Sequence, residues 1–316
     1  MHSLAPSTQF APAKLNLFLA ITGRRADGFH ELVSVVAPLT FGDRLTVAPA
    51  AGEGFELRCN DPELACDETN LVLKAARAFA QATGWRGGAS FQLDKRVPLG
   101  AGLGGGSSDA VAALRGLNEL AGGLLSGPKL AALSAELGSD CPLFLAGGPV
   151  VMRGRGERIA PLPAAAAARL SGRRVLLFKP AFGIATAWAY RRLAEKAASA
   201  DLAADGSLTE ARRSPARPYL SVDDAEARLS AWVADPAGPV EALLFNSLEL
   251  PAFEKHLALP TLLARLREEF GLEPRMTGSG SACFAFLPEE SSIDPIAAII
   301  RTSWGDSAFV TEARLV

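Results

Sequence analysis

Apolar and polar side chains alternate from Lys14 to Ile21, with Leu15, Leu17, Leu19 and Ile21 on one side and Lys14, Asn16, Phe18 and Ala20 on the other. A period of two predicts a half-buried β-strand and sends the side chains of Lys14 and Asn16 out from the same face. Further strands are expected over residues 39–47, 55–58 and 90–97, and their mixed faces suggest an antiparallel sheet. Apolar residues spaced by three and four predict helices over 71–83, 108–120 and 129–137, with Gly or Pro nearby as punctuation. An alanine-rich stretch, 161–172, precedes a new apolar run, 175–178, and a domain boundary placed there divides the chain into 1–165 and 173–316. Residues 197–218 mix Asp, Ala, Ser, Arg and Pro without a core-facing period and are expected to form an exposed insertion or loop.

Composition narrows the class. With 316 residues, 49% of them apolar and 21% charged, the chain can bury at least one sizeable core. A net charge of -2 and a pI near 6.0 provide no overall basic field for nucleic acid or an anionic membrane, so neither is expected as a partner. The four cysteines lack a Cys-x-x-Cys pair, which suggests neither a zinc ribbon nor a disulfide framework and fits a reducing cytoplasm. No apolar run reaches the roughly 18 residues that span a bilayer, and Met1 to Gln9 lacks the basic-then-apolar order of a signal peptide. Neither cleavage nor a membrane anchor is expected.

The strongest local signal is Pro98-Leu99-Gly100-Ala101-Gly102-Leu103-Gly104-Gly105-Gly106-Ser107-Ser108-Asp109, between a predicted strand and a predicted helix. Five glycines in the seven positions from Gly100 to Gly106 allow positive φ angles and close backbone approach to a ligand. Successive amides can then face phosphate oxygens, aided by the positive end of the helix dipole, with Ser107 and Ser108 adding hydroxyl donors. The alternative is a flexible connection ending in a plain N-cap. Gly100, Gly102 and Gly105 also satisfy Gly-x-Gly-x-x-Gly, but the preceding strand is alternating and charged, and no acidic residue closes a second buried strand about 20 residues on. A Walker loop fails because no Gly-Lys-Ser/Thr ends the run.

Pro98, Gly102, Leu103, Gly104, Ser107 and Ser108 fit Pro-x-x-x-Gly-Leu-Gly-x-x-Ser-Ser, and in this the sequence resembles the GHMP kinase superfamily. The fuller run Gly104-Gly105-Gly106 is similar to the branch acting on a cytidylylated methylerythritol in isoprenoid precursor synthesis. The likeness extends through Pro12-Ala13-Lys14-Leu15-Asn16, Gly23 to Leu32, Gly138-Ser139-Asp140-Cys141-Pro142, Lys179-Pro180 with Thr186, and Met276-Thr277-Gly278-Ser279-Gly280-Ser281. It departs at Phe29, where the family usually has Tyr.

The resemblance implies an ATP-dependent kinase of α+β class in two domains, ribosomal S5-like at the N-terminus and ferredoxin-like at the C-terminus. It implies that residues 98–108 hold ATP, that Asp140 takes the proton of the acceptor hydroxyl, and that Lys14 keeps that carboxylate ionised and stabilises the transferred phosphoryl. Asn16, Phe29, His30, Thr186 and Tyr190 are implied to meet the substrate, with Phe29 stacking on the cytosine and His30 bonding its edge. Mg2+ is implied with ATP, without a dedicated protein ligand set and with Ser108 as one contact. Read alone, Asp140 could equally cap a helix, Lys14 could be a solvated strand lysine, Thr186 and Tyr190 could be core packing, and 278–281 could be a hairpin turn.

Overall fold

The computed structural model describes residues 5–205 and 218–316. In chain order the strands and helices are β1 (Ser7–Arg24), β2 (His30–Ala50), β3 (Phe55–Cys59), α1 (Leu71–Thr83), β4 (Gly88–Asp94), α2 (Gly105–Leu120) and α3 (Gly127–Leu137). A 3-10 turn, Cys141–Leu145, leads to β5 (Val150–Gly154), β6 (Arg158–Pro161), α4 (Ala164–Leu170), β7 (Arg174–Lys179), α5 (Thr186–Asp205) and α6 (Val222–Ala234). Next come β8 (Phe245–Asn246), α7 (Glu249–Lys255), α8 (Ala258–Phe270), β9 (Arg275–Met276), β10 (Cys283–Phe286), α9 (Asp294–Trp304) and β11 (Phe309–Arg314). Among the described residues no helix is long and apolar enough to cross a membrane.

The chain forms two compact units. The first comprises residues 1–14, 38–99 and 104–147, and the second 15–37, 100–103 and 148–316. In the first, β4 pairs antiparallel with β2 through Leu45↔Leu93 and Val47↔Phe91, and parallel with β3 through Leu57↔Phe91. Helices α1 and α2 pack on each other, burying Phe79, Leu73, Ala110, Leu114 and Leu117. At Gly116 a Cβ would fall 2.5 Å from Val47 Cγ2, so the missing side chain lets α2 lie close on β2. Asn70 caps α1 by accepting the Val72 amide, and Gly84 at φ 70° ends it.

In the second unit β11, β7, β10 and β9 form an antiparallel sheet whose centre, Val175–Phe178, is wholly buried. Helices α8 and α9 pack together and bury Leu259, Leu262, Leu263, Leu266, Ile296 and Ile300. The same unit contains β5, antiparallel to β2 at residues 32–36, and β8, parallel to β1 at Phe18 and Leu19.

Four expectations change. Strand β1 is buried on both faces from Ala13 to Ile21, because its polar side chains find internal partners instead of water. The sheet is mixed, because α1 connects β3 to β4 as a crossover, which makes the two strands parallel. Strand β4 stops at Asp94 rather than 97, because the Lys95 amide turns to Asn60 Oδ1 and the Arg96 and Val97 amides turn to Asp43 Oδ1. Residues 197–205, expected as loop, continue α5, whose buried Ala189, Leu193 and Ala197 give it an inward stripe at spacings of four; residues 206–217 of that stretch lie outside the described residues.

Candidate active site

In the first unit, Lys14 Nζ lies 3.9 Å from Asp140 Oδ2. The two residues come from distant parts of the sequence. Lys14 sits at the buried middle of β1, whereas Asp140 precedes the turn that starts Cys141-Pro142. The Asp140 side chain makes no capping hydrogen bond to that turn and is 44% exposed, against 5% for Lys14. Burial lowers the Lys14 ammonium from its usual range, and the Asp140 charge opposes the shift.

The glycine loop reaches this pair. Gly100, Gly102 and Gly104 have φ of 59°, 76° and 74°, so the chain turns three times through the left-handed region before α2 begins. A Cβ at Gly104 would come 3.0 Å from Lys14 Cγ and 3.0 Å from Phe144 Cζ. No side chain caps α2, whose first intrahelical bond runs from the Ser108 amide to Gly104 O. The preceding amides are left to a ligand or water, at the positive end of a 16-residue helix. Ser108 Oγ is buried and has no hydrogen-bond partner among the described residues. Ser107 bonds the Cys141 thiol, whose pKa burial pushes up to about 11 against that bond, so the thiol next to Asp140 stays protonated.

In the second unit, residues 100–103 meet the loop that precedes β10. Ala101 O accepts the Ala282 amide at 3.1 Å, and a Cβ on Gly102 would fall 2.5 Å from Thr277 O. Asn246 Nδ2 donates to Met276 O and Gly278 O at 2.8 and 2.9 Å, fixing that loop's backbone. Thr277 Oγ1 accepts the Asn16 amide at 2.9 Å, while Asn16 Nδ2 donates to Ser34 Oγ. Residues 278–281 thus lie in the hairpin connection between antiparallel β9 and β10, as one of the two sequence readings had it, beside residues 100–103. Ser279 Oγ and Thr186 Oγ1 lie 2.9 Å apart.

His30 anchors an aromatic cluster in this unit. Its ring centroid is 5.0 Å from that of Tyr190 and 6.1 Å from that of Tyr219, and these are the two tyrosines of the chain. Burial, with Arg24 assisting, lowers the His30 pKa, so the imidazole is neutral near pH 7, and its buried Nε2 has no hydrogen-bond partner among the described residues. Phe29, next to His30 in sequence, is 52% exposed, and the Arg155 guanidinium lies 5.1 Å from its ring centroid. The sequence reading missed Tyr219, which directly follows the 197–218 stretch expected as an insertion or loop, and missed the structural roles of Thr277 and Asn246. Only the motif around Thr277 carried a signal that could have found one of them.

Comparison with known proteins gives this geometry a lineage. Residues 70–148 match the family model "GHMP kinases N terminal domain", and residues 236–306 match "GHMP kinases C terminal". The 4-diphosphocytidyl-2-C-methyl-D-erythritol kinase of Synechococcus elongatus is 37% identical over 300 residues, 95% of this chain and 92% of its own. The chain belongs to the 4-diphosphocytidyl-2-C-methyl-D-erythritol kinase family. The family member of the same name from Carboxydothermus hydrogenoformans is 38% identical over 279 residues, covering 87% of this chain and 86% of its own. A crystal structure of 4-(cytidine 5'-diphospho)-2C-methyl-D-erythritol kinase superposes with a TM-score of 0.72 at 33% identity, covering 98% of this chain and 99% of that one. Homoserine kinase from Cytophaga hutchinsonii shares the fold alone, at TM-score 0.66 and 17% identity over 100% of this chain and 96% of its own. The α+β class and two-part GHMP architecture expected from the sequence are those of the family.

Proposed function

We propose that this protein transfers the γ-phosphoryl group of ATP to the 2-hydroxyl of 4-diphosphocytidyl-2-C-methyl-D-erythritol, a step toward isoprenoid precursors. The observation that carries this reading is the 37% identity, across 95% of the chain, to a relative bearing that substrate in its name. The site chemistry supports it. Asp140, exposed and not spent as a cap, accepts the acceptor's hydroxyl proton. The freed oxygen attacks the γ-phosphorus as the bond to the β-phosphate oxygen breaks and ADP leaves. Lys14, 3.9 Å from Asp140, attracts the charge on the equatorial oxygens.

Pro98, Leu99, Gly100, Ala101, Gly102, Leu103, Gly104, Gly105, Gly106, Ser107 and Ser108 form the ATP loop, supported by three positive-φ glycines and the uncapped start of α2. Among the described residues no three His, Cys, Asp or Glu side chains group as metal ligands. Mg2+ would be carried mainly by ATP phosphates and water, with the buried Ser108 hydroxyl as its protein contact. His30 bonds the cytosine edge and Tyr190 packs beside it, while Phe29 offers a stacking face and Asn16 and Thr186 line the acceptor pocket. The division into 1–165 and 173–316 rests on the family matches that fall on either side of it, whereas the compact units interleave along the chain, with 15–37 and 148–165 in the second. Four free cysteines suit a cytoplasmic enzyme.

The test is ADP release with the cytidylylated methylerythritol, run beside mevalonate and homoserine. Turnover should be confined to the first acceptor; equal turnover of all three would remove the cytidine-specific reading.

A further inference from the structure

A second buried charge cluster, made of residues other than Lys14 and Asp140, lies within the first unit. Asp43 on β2 is fully buried. Its Oδ1 accepts the Arg96 amide at 2.6 Å and the Val97 amide at 2.8 Å, and its Oδ2 accepts from Lys95 Nζ. Lys95 Nζ also donates to Asp109 Oδ2 at 2.7 Å. Asp109 lies in the first turns of α2, and a Cβ on Gly105 would fall 2.8 Å from Lys95 Nζ and 3.1 Å from Val97 Cγ1. The ammonium is therefore seated against the first residue of that helix. Residues 95–97 enter the glycine loop and residues 105–109 leave it.

We infer that Asp43 is a positioning residue for the nucleotide: through two backbone amides and Lys95 it ties the strand entering the glycine loop to the helix leaving it. This rests on the reading of residues 98–108 as the ATP loop. A glycine-rich segment gains its shape from its ends, because its own residues prefer no single conformation. With both stems held, the loop amides are spaced for phosphate before ATP arrives. With one stem released, binding must order the loop as well, and affinity falls. The Lys95 contact also sets a carboxyl group at position 43 apart from an amide. A neutral amide would still accept the two backbone amides but would take from the Lys95 ammonium, buried at Gly105, one of its two carboxyl partners.

The test is steady-state kinetics and calorimetric ATP binding on Asp43→Asn beside the parent enzyme. The KM and Kd for ATP should each rise about tenfold, while kcat at saturating ATP and the KM for the cytidylylated acceptor stay within about twofold of the parent. A merely structural role would lower the unfolding midpoint and leave the ATP KM alone, so a folded Asp43→Asn enzyme with the parent's ATP KM overturns the inference. Should that variant not fold, Asp109→Ala, which releases the helix stem only, decides by the same two readouts. A parent that binds ATP but turns over no acceptor would sink the kinase reading instead, and calorimetry would still test the clamp.

Discussion

At Asp140 and Lys14, exposure decides which group can meet a substrate proton and which can only shape the field around it. A carboxylate 44% exposed and free of capping duty can approach a hydroxyl, while an ammonium 5% exposed is held in place by its surroundings. Replacing Asp140 with Asn should lower kcat by roughly 10²- to 10⁴-fold, the usual range for a positioned base, with ATP affinity kept. Near-parent turnover in that variant would show that positioning alone suffices. The same substitution has a second, signed consequence. Burial lowers the Lys14 pKa and the Asp140 charge opposes it, so neutralising Asp140 must lower it further. The alkaline limb of the residual kcat profile should therefore move to lower pH, and an unmoved limb would mean that Lys14 is not the group titrating there. His30 makes a different case: its buried Nε2 has no hydrogen-bond partner among the described residues, so Ala at this position should raise the KM for the cytidylylated acceptor while leaving the ATP KM near the parent's. A rise in the ATP KM instead would move His30 out of the cytidine pocket.

Among the elements, those whose ends are set by local chemistry were legible in the sequence, and those set by distant partners were not. Helix α1 runs over the predicted 71–83 because Asn70 and Gly84, its capping residues, are adjacent in sequence. Strand β4 was read three residues too long because the carboxylate that draws its end out of the ladder belongs to Asp43, 53 residues away. Lys14 was marked as chemical by its motif, yet its burial, with the start of α2 at Gly104 close against its side chain, is something alternation cannot reveal, and Tyr219 gave no signal at all. The glycine loop was legible because its backbone requirement is written directly as residue type, and that requirement differs along it. Gly102, at φ 76°, would place a Cβ 2.5 Å from the Thr277 carbonyl, whereas Gly106 lies in the first turn of α2, and its Cβ would meet only Leu71 Cδ1 at 3.7 Å. Gly102→Ala should therefore lower the unfolding midpoint, since a left-handed non-glycine residue alone costs about 1–2 kcal/mol. Gly106→Ala should leave the midpoint unchanged or raise it slightly, as Ala in a helix is favoured by roughly 0.5–1 kcal/mol over Gly. Equal midpoints, measured by thermal melts of both variants beside the parent, would mean that the loop relaxes away from Thr277.

For the whole molecule, buried charge under the loop sets how stability changes with pH. Asp109 is raised to about 7, first by burial and then by the like charge of Asp43, while Lys95 pulls the other way. An unfolded aspartate titrates near about 3.9. Between those two values the folded chain keeps a proton that the unfolded chain has released, so the folded state binds more protons and stability must fall as pH rises through that window. This is the reverse of the usual carboxylate contribution, in which a salt-bridged acid loses its stabilisation on acidification. The ammonium of Lys95 does not change this sign, because its own pKa lies above the ordinary lysine range and it stays charged throughout the window. At about 1.4 kcal/mol per pKa unit the contribution is on the order of a few kcal/mol, and it levels off above pH 7. Asp109→Asn removes the titrating group while keeping an oxygen for Lys95. The difference in unfolding free energy between Asn and parent enzyme, measured by urea titration at intervals from pH 4 to pH 8, should shift in favour of the variant as pH rises and then become constant. A difference that is flat across the whole range would show that Asp109 is ionised in the folded protein from the acid end onward, with Lys95 rather than burial setting its charge.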